Sequence, residues 1–373
     1  MQKEDLVQQA SASIPEIPLR DGTAIPQLGF GTLRVQPDRE ATPANVETTA
    51  EIVGLALQAG YRHIDTAQSY GTEAGVGRAM ALSGIPRDEL YVTSKLSNGN
   101  HRPDDVRRSF YQTLENLGLD QLDLFLIHWP LPTLYDGDYV STWQAVTEFA
   151  AEGTLRTAGV SNFQPAHLDR IIAETGITPA VNQVELHPYF ANGAVRAAAA
   201  RHGIAIEAHS PLGHNGEPLT DETISRIAAG HGKSAAQVIL RWHLQHGHIA
   251  IPKSARPERM RENLQLLDFE LPADQHAAID ALARGPAGRV GPNPDTYEGI
   301  RPHGSASTTP SAPPAPPHAP VTLRYSINVA ACTIFPTECR IHRLASDHAS
   351  IGMKALLFGT DGGFSCPGHG QRP

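Results

Sequence analysis

The chain has 373 residues, 40% hydrophobic and 18% charged, enough for one large domain with an appendage or for two domains. Its net charge of −9 excludes a global attraction to nucleic acid or anionic lipid, so a polyanion would need a local basic site. No apolar run of about 18 residues is present, and the opening MQKEDLVQQASASIPEIPL lacks the apolar core of a signal peptide, so a cytoplasmic protein without a membrane helix is expected.

Residues 1–13 read as a flexible start, and IPLRDGTAIP then places Asp21-Gly22 between two short extended pieces, a hairpin signal. Eight strand candidates follow: LGFGT at Leu28, RHIDTA at Arg62, LYVTSKL at Leu90, LDLFLIH at Leu122, TAGVSN at Thr157, AVNQVEL at Ala180, AIEAHSPL at Ala205 and HIAIPKS at His248. The seven intervals between them are roughly 23–43 residues, each long enough for a crossover helix. Amphipathic segments fill them, among them VETTAEIVGLALQAG, STWQAVTEFAAEG and PDDVRRSFYQTLENLG, where Pro103 suits a helix start and Gly118 a C-terminal cap. Eight such units predict a (β/α)8 barrel, its lower end closed by the hairpin. The rival is a doubly wound sheet, which needs a glycine-rich phosphate turn after an early strand. GFGTLR and GVGRAM lack its third glycine, and GHGKS has Ile227 where a P-loop needs its first, so these read as loop glycines.

After the eighth strand, RPERMRENLQLLDF reads as the eighth helix and PADQHAAIDALAR as one more, completing a domain over residues 14–300. Residues 301–320 hold seven prolines in twenty and are expected to be disordered or extended. Residues 321–373, which contain Cys332, Cys339 and Cys366, have no clear period and are not read as a domain. A linker with a small appendix and read-through from a shifted frame both remain open for them. No cysteine precedes them, so the barrel has no disulfide or cysteine metal site. RWHLQHGH offers His243, His246 and His248, but no acid lies nearby in sequence, and no metal is expected.

Polar side chains recur where the strands end: Asp65 with Tyr70, Lys95, His128, Ser161-Asn162, Gln183, Ser210 and Lys253-Ser254. In a barrel these ends converge on one rim. GYRHIDTAQSY, VTSKL, LIHWP, GVSNF, NQVELHP, SPLG and IPKSARPERMREN together resemble the aldo-keto reductase family, in the family's order, over roughly Ile14 to Ile300. The likeness is to its bacterial diketogluconate and small-aldehyde reductases. It implies NADPH-dependent reduction of aldehydes or ketones by a monomer, with Asp65, Tyr70, Lys95 and His128 as the catalytic tetrad.

Elementary chemistry agrees with that tetrad. Hydride arrival at a carbonyl carbon develops an oxyanion, so a proton donor must stand beside that oxygen. A free tyrosine, with a pKa of about 10, is a sluggish acid at neutral pH. A neighbouring ammonium lowers it, so Lys95 is expected to acidify Tyr70, Asp65 to hold Lys95, and His128 to orient the carbonyl. The resemblance further implies Ser161, Asn162 and Gln183 on the nicotinamide carboxamide, and Ser210, Leu212 and Gly213 along the pyrophosphate. It places Lys253, Ser254 and Arg259 on the 2′-phosphate, with Glu262 and Asn263 beside the adenine. In a chain of net −9, Lys253, Arg256, Arg259 and Arg261 within nine residues make a local anion site.

Two positions depart from the family. His209 replaces the aromatic that usually stacks on the nicotinamide, and Leu33 stands where several relatives carry tryptophan. Trp129, with Phe30, is then the expected aromatic wall of a wider pocket. PLPTLYDGDYV and GRVGPNPDTYEGI are expected to cover the mouth. The alternative reading is a nucleotide-sensing regulatory subunit with little turnover.

Overall fold

The computed structural model describes residues 14–214 and 216–299. The expectations for residues 1–13, for the proline-rich segment 301–320 and for residues 321–373 with their cysteines lie outside the described residues. Strands β1 (Glu16–Pro18) and β2 (Ala24–Pro26) pair antiparallel as the expected hairpin. In its turn Asp21 Oδ1 accepts from the Thr23 backbone N–H at 3.0 Å, and Gly22 takes φ +85°. Leu19 and Ile25 pack with Tyr91, Leu124, Leu126, Val181 and Ile249, so the hairpin plugs the base of the barrel.

Eight parallel strands follow: β3 (Phe30–Gly31), β4 (His63–Asp65), β5 (Tyr91–Leu96), β6 (Leu122–Ile127), β7 (Leu155–Ser161), β8 (Val181–Glu185), β9 (Ala205–His209) and β10 (Ile249–Ala250). Each pairs with the next in sequence. Gly29 N–H donates to Ala250 C=O at 2.9 Å and Gly31 N–H to Pro252 C=O at 3.1 Å, so the last strand meets the first. The sheet is closed, as the strand count predicted. Alternation along β6 sends Leu124 and Leu126 inward and Phe125 and Ile127 out to the helical layer.

That layer comprises α1 (Pro43–Ala59), α2 (Glu73–Ser83), α3 (Pro103–Leu117), α4 (Tyr139–Glu152), α5 (Pro165–Thr175), α6 (Gly193–His202), α7 (Glu222–His231), α8 (Ala235–Gln245), α9 (Pro257–Leu264) and α10 (Ala273–Asp280). Pro103 opens α3 and Gly118 caps it at φ +66°. Among the described residues, no helix is long and apolar enough to cross a membrane. The loop reading of the glycine motifs is corrected, and in GFGTLR Gly31 belongs to β3. Gly75 and Gly77 of GVGRAM lie inside α2, where a Cβ would collide with Thr49 of α1 and with the Leu117 backbone of α3. They serve close helix packing. In GHGKS, Gly230 lies in the last turn of α7, Gly232 caps it at φ +63°, and Ser234 starts α8 by a reciprocal cap with Gln237.

Candidate active site

Asp65 is the last residue of β4, and Lys95 lies on the neighbouring strand β5. Lys95 is fully buried and donates from Nζ to Asp65 Oδ1 at 2.6 Å, Asp65 Oδ2 at 2.7 Å and the Thr66 carbonyl at 2.9 Å. A 3-10 turn over Gln68–Tyr70 carries Tyr70 back across this pair, with the ammonium 4.9 Å from its ring centroid. His128, one residue beyond β6, meets the same ring edge-on at 5.6 Å. The fold thus brings all four predicted residues together.

The turn that carries Tyr70 is braced from below. Thr72 Oγ1 lies 2.7 Å from Thr66 Oγ1 and 3.0 Å from Thr32 Oγ1, and Thr32 donates to the Asp65 carbonyl at 2.9 Å. Gly71 sits at φ +71°, and a Cβ there would collide with the Arg39 carbonyl. Only glycine meets both demands. Gly71→Ala is therefore expected to cost about 1–3 kcal/mol and to lower kcat roughly tenfold or more by displacing Tyr70. A melting curve and a steady-state assay check the two effects.

Burial opposes the Lys95 ammonium, but the Asp65 carboxylate outweighs it and lifts the lysine above its ordinary pKa. Lys95 is charged at neutral pH. Burial, and then the Lys95 charge, hold His128 well below the usual imidazole range, so it is neutral. For Tyr70 the expected net acidification is corrected. Lys95 does pull the phenol down, but burial is stronger and leaves its pKa above the ordinary value. The resting phenol is protonated, with a cation beside it to receive the phenolate.

The remaining strand ends supply a polar rim. Asn162 follows β7 in a left-handed conformation (φ +64°), and Ser210 follows β9 in another (φ +52°). Such strain on residues other than glycine clusters at functional sites. Asn162 Nδ2 donates to the His128 carbonyl at 3.0 Å and to Ser161 Oγ at 3.1 Å, while its Oδ1 accepts from His209 Nε2 at 3.1 Å. His209 is pushed down to about 4, chiefly by burial, and is neutral at physiological pH. Gly213 N–H closes the turn onto the Ser210 carbonyl at 2.9 Å, and Leu212 packs on the core. Gln183 donates from Nε2 to Asp65 Oδ2 at 2.8 Å and to Glu207 Oε2 at 3.0 Å.

Beyond β10, Lys253, Arg256 and Arg259 are exposed and, among the described residues, make no ion pair. Arg261 reaches Glu258 at 3.9 Å. Ser254 Oγ accepts from the Arg256 N–H at 3.0 Å and shapes the entry to α9. Glu262 is half-buried, its carbonyl accepting from Gln237 Nε2 at 3.1 Å, and Asn263 is buried with a hydrogen bond to Tyr61.

The sequence pattern of the aldo/keto reductase family matches residues 27–284. The chain belongs to that family. It is 46% identical over 283 residues to an aldo-keto reductase of Mycolicibacterium smegmatis, covering 76% of this chain and 98% of that protein. It is 43% identical over 286 residues to the 2,5-diketo-D-gluconic acid reductase B of a Corynebacterium species, covering 77% of this chain and 99% of that protein. The crystal structure of a Gox0644 variant in complex with NADPH superposes with a TM-score of 0.70 at 41% identity, covering 76% of this chain and 98% of that one.

Over the mouth of this aldo/keto reductase, two loops share one anchor. Tyr135 Oη donates to the Asn98 carbonyl at 2.7 Å, and Asn98 Nδ2 donates to the Gly299 carbonyl at 2.8 Å. Glu185, at the end of β8, holds the second loop by accepting from Val290 N–H at 2.6 Å and Gly291 N–H at 2.8 Å. That loop delivers Tyr297 onto Trp129, with ring centroids 4.2 Å apart. Sequence reasoning missed Tyr297, because nothing in a proline-rich loop signals which ring it will meet. Leu33 is half-buried after β3. Phe30 does not join this wall. It is buried edge-on against Tyr61 at 5.4 Å, in the layer facing the helices, because strand alternation turns it away from the barrel axis.

The histidines of RWHLQHGH are neighbours, with the His248 ring 5.0 Å from His246 and 5.6 Å from His243, and the fold corrects the expectation that no acid is near. His246 Nε2 bonds Asp280 Oδ1 at 2.9 Å, and His276 joins them in a group whose donor atoms lie within 4.8 Å of one another. Arg196 donates to His246 Nδ1 at 3.2 Å, which places the imidazole proton on Nε2, facing Asp280. His243 is buried edge-on against His248, with its Nε2 3.2 Å from the Pro211 carbonyl.

Proposed function

We propose that this aldo/keto reductase reduces small aldehydes, α-dicarbonyls or keto-sugars such as diketogluconate to alcohols with NADPH, with Tyr70 as general acid. The observation that carries the reading is the buried Lys95, locked to Asp65 at 2.6–2.7 Å and lying against the Tyr70 ring. The relatives that support the substrate class include the diketogluconic acid reductase and, at 40% identity, a methylglyoxal reductase of Escherichia coli. The cofactor fits the residues present: strained Asn162 and Ser210 line the rim, and a cluster of unpaired cations stands at the start of α9.

When bound, NADPH supplies the hydride. Neutral His128 is able to donate a hydrogen bond to the carbonyl oxygen without competing for its proton. As charge develops on that oxygen, Tyr70 releases its proton to it, and the ammonium of Lys95 stabilises the phenolate left behind. Asp65 neither gives nor takes the proton; it keeps Lys95 charged and in place. Trp129 and Tyr297 narrow the mouth to small substrates and shield the reacting atoms from water. A sensing role with little turnover gives no reason to bury a lysine against a protonated tyrosine.

Selection of NADPH over NADH is assigned to Arg259 and Lys253, whose charges suit a 2′-phosphate. A hydrogen bond to a charged group contributes about 1.5–3 kcal/mol, so Arg259→Met is expected to weaken NADPH roughly ten- to a hundred-fold. NADH affinity should hardly change. Titration of both cofactors, followed by tryptophan fluorescence, checks this. An equal loss for both would reduce Arg259 to a support of the fold.

A further inference from the structure

A second buried acid lies in the barrel beneath the tetrad. Glu207, in the middle of β9, is fully buried and lies opposite Gln183 in the β8–β9 ladder. We propose that Glu207 is a positioning residue that fixes the side-chain amide of Gln183, so that the amide's carbonyl oxygen is presented to the carboxamide of the bound nicotinamide. This rests on the NADPH reading above.

The geometry supports it in two steps. The Gln183 Nε2 group has two hydrogens, and its two acceptors are both carboxyl oxygens, Asp65 Oδ2 at 2.8 Å and Glu207 Oε2 at 3.0 Å. A flipped amide would turn its own oxygen against the Asp65 carboxylate, so its sense is fixed. Gln183 Oε1 is then the side-chain atom left to accept a hydrogen bond, and the carboxamide NH2 of nicotinamide is a donor. Asp65 alone would bind one hydrogen and leave the amide free to rotate about that contact.

The second step concerns charge. The groups facing Glu207 are Asp65 and His63 on β4, Tyr91 and Lys95 on β5, and Gln183 on β8. Burial, and then the Asp65 charge, push the Glu207 carboxyl up to about 8, so it is uncharged at neutral pH. Its Oε2 serves Gln183 as a carbonyl acceptor. Its Oε1, which has no hydrogen-bond partner among the described residues, faces His63 Nε2 at 3.6 Å. His63 is itself neutral, pushed down to about 3 by burial. A glutamine at position 207 keeps an oxygen acceptor for Gln183, and a leucine removes it.

The test uses the full chain, with calorimetric titration of NADPH and of 2′-phospho-ADP-ribose, which lacks the nicotinamide. Glu207→Leu should weaken NADPH about tenfold, the worth of one buried hydrogen bond, and leave 2′-phospho-ADP-ribose within about twofold. Glu207→Gln should bind both like wild type. Gln183→Leu, a second variant that does not depend on Glu207→Leu folding, should show the same split. Equal weakening of both ligands, no weakening of NADPH, or Glu207→Gln as impaired as Glu207→Leu would overturn the proposal. A wild type that binds neither ligand would instead overturn the cofactor reading on which it rests.

Discussion

Replacing Tyr70 by phenylalanine is expected to lower kcat by about 10²–10⁴-fold, the usual worth of a positioned acid, while NADPH binds as in wild type. The substitution keeps the ring that packs against His128 and deletes only the hydroxyl proposed as the proton donor. Because the resting phenol is held above its ordinary pKa, it reaches the transition state protonated across the physiological range. Retention of more than a tenth of wild-type kcat would remove Tyr70 from the role of acid.

Lys95→Met should lower kcat by about 10²–10³-fold, because the phenolate loses the cation that stabilises it. It should also cost stability, about 3–5 kcal/mol, since Asp65 is left buried without its ion partner. The sign of its pH dependence follows from linkage. Burial already presses the Asp65 carboxyl upward against the pull of Lys95, and without Lys95 its folded-state pKa rises further above its unfolded value of about 3.9. The unfolded chain then ionises more readily, so the variant's stability falls as pH rises above that value, until the folded carboxyl also ionises. Its melting temperature relative to wild type should therefore drop further as pH is raised from 5 to 7. A deficit independent of pH would mean that Asp65 is not left to titrate alone.

The fold and the meeting of Asp65, Tyr70, Lys95 and His128 were legible because their signals are local. Each tetrad group stands at or just past an apolar run, and alternating strands and helices of adequate length admit few closed architectures. What escaped the sequence depends on partners far along the chain. Gly75 and Gly77 resemble a phosphate loop in composition, but their absent Cβ atoms serve packing against Thr49 and Leu117. Phe30 is aromatic and close to the rim in sequence, and only strand alternation decides that it faces the helices. Tyr297 meets Trp129 across 168 residues of chain. The sign of the Tyr70 shift was missed for a different reason. The lysine is visible in the sequence, but the burial that outweighs it is a property of the assembled barrel. Glu207 had one readable signal, a carboxylate at the centre of the apolar strand AIEAH, where a buried charge is costly unless it is paired or neutralised.

The most direct test of the central claim is the initial rate of NADPH oxidation by the full chain against methylglyoxal, diketogluconate and small aldehydes, with NADH in parallel. The account predicts steady consumption of NADPH with at least one of these carbonyls, a much lower rate with NADH, and loss of the reaction in Tyr70→Phe. Tight binding of NADPH without its consumption by any carbonyl would contradict it.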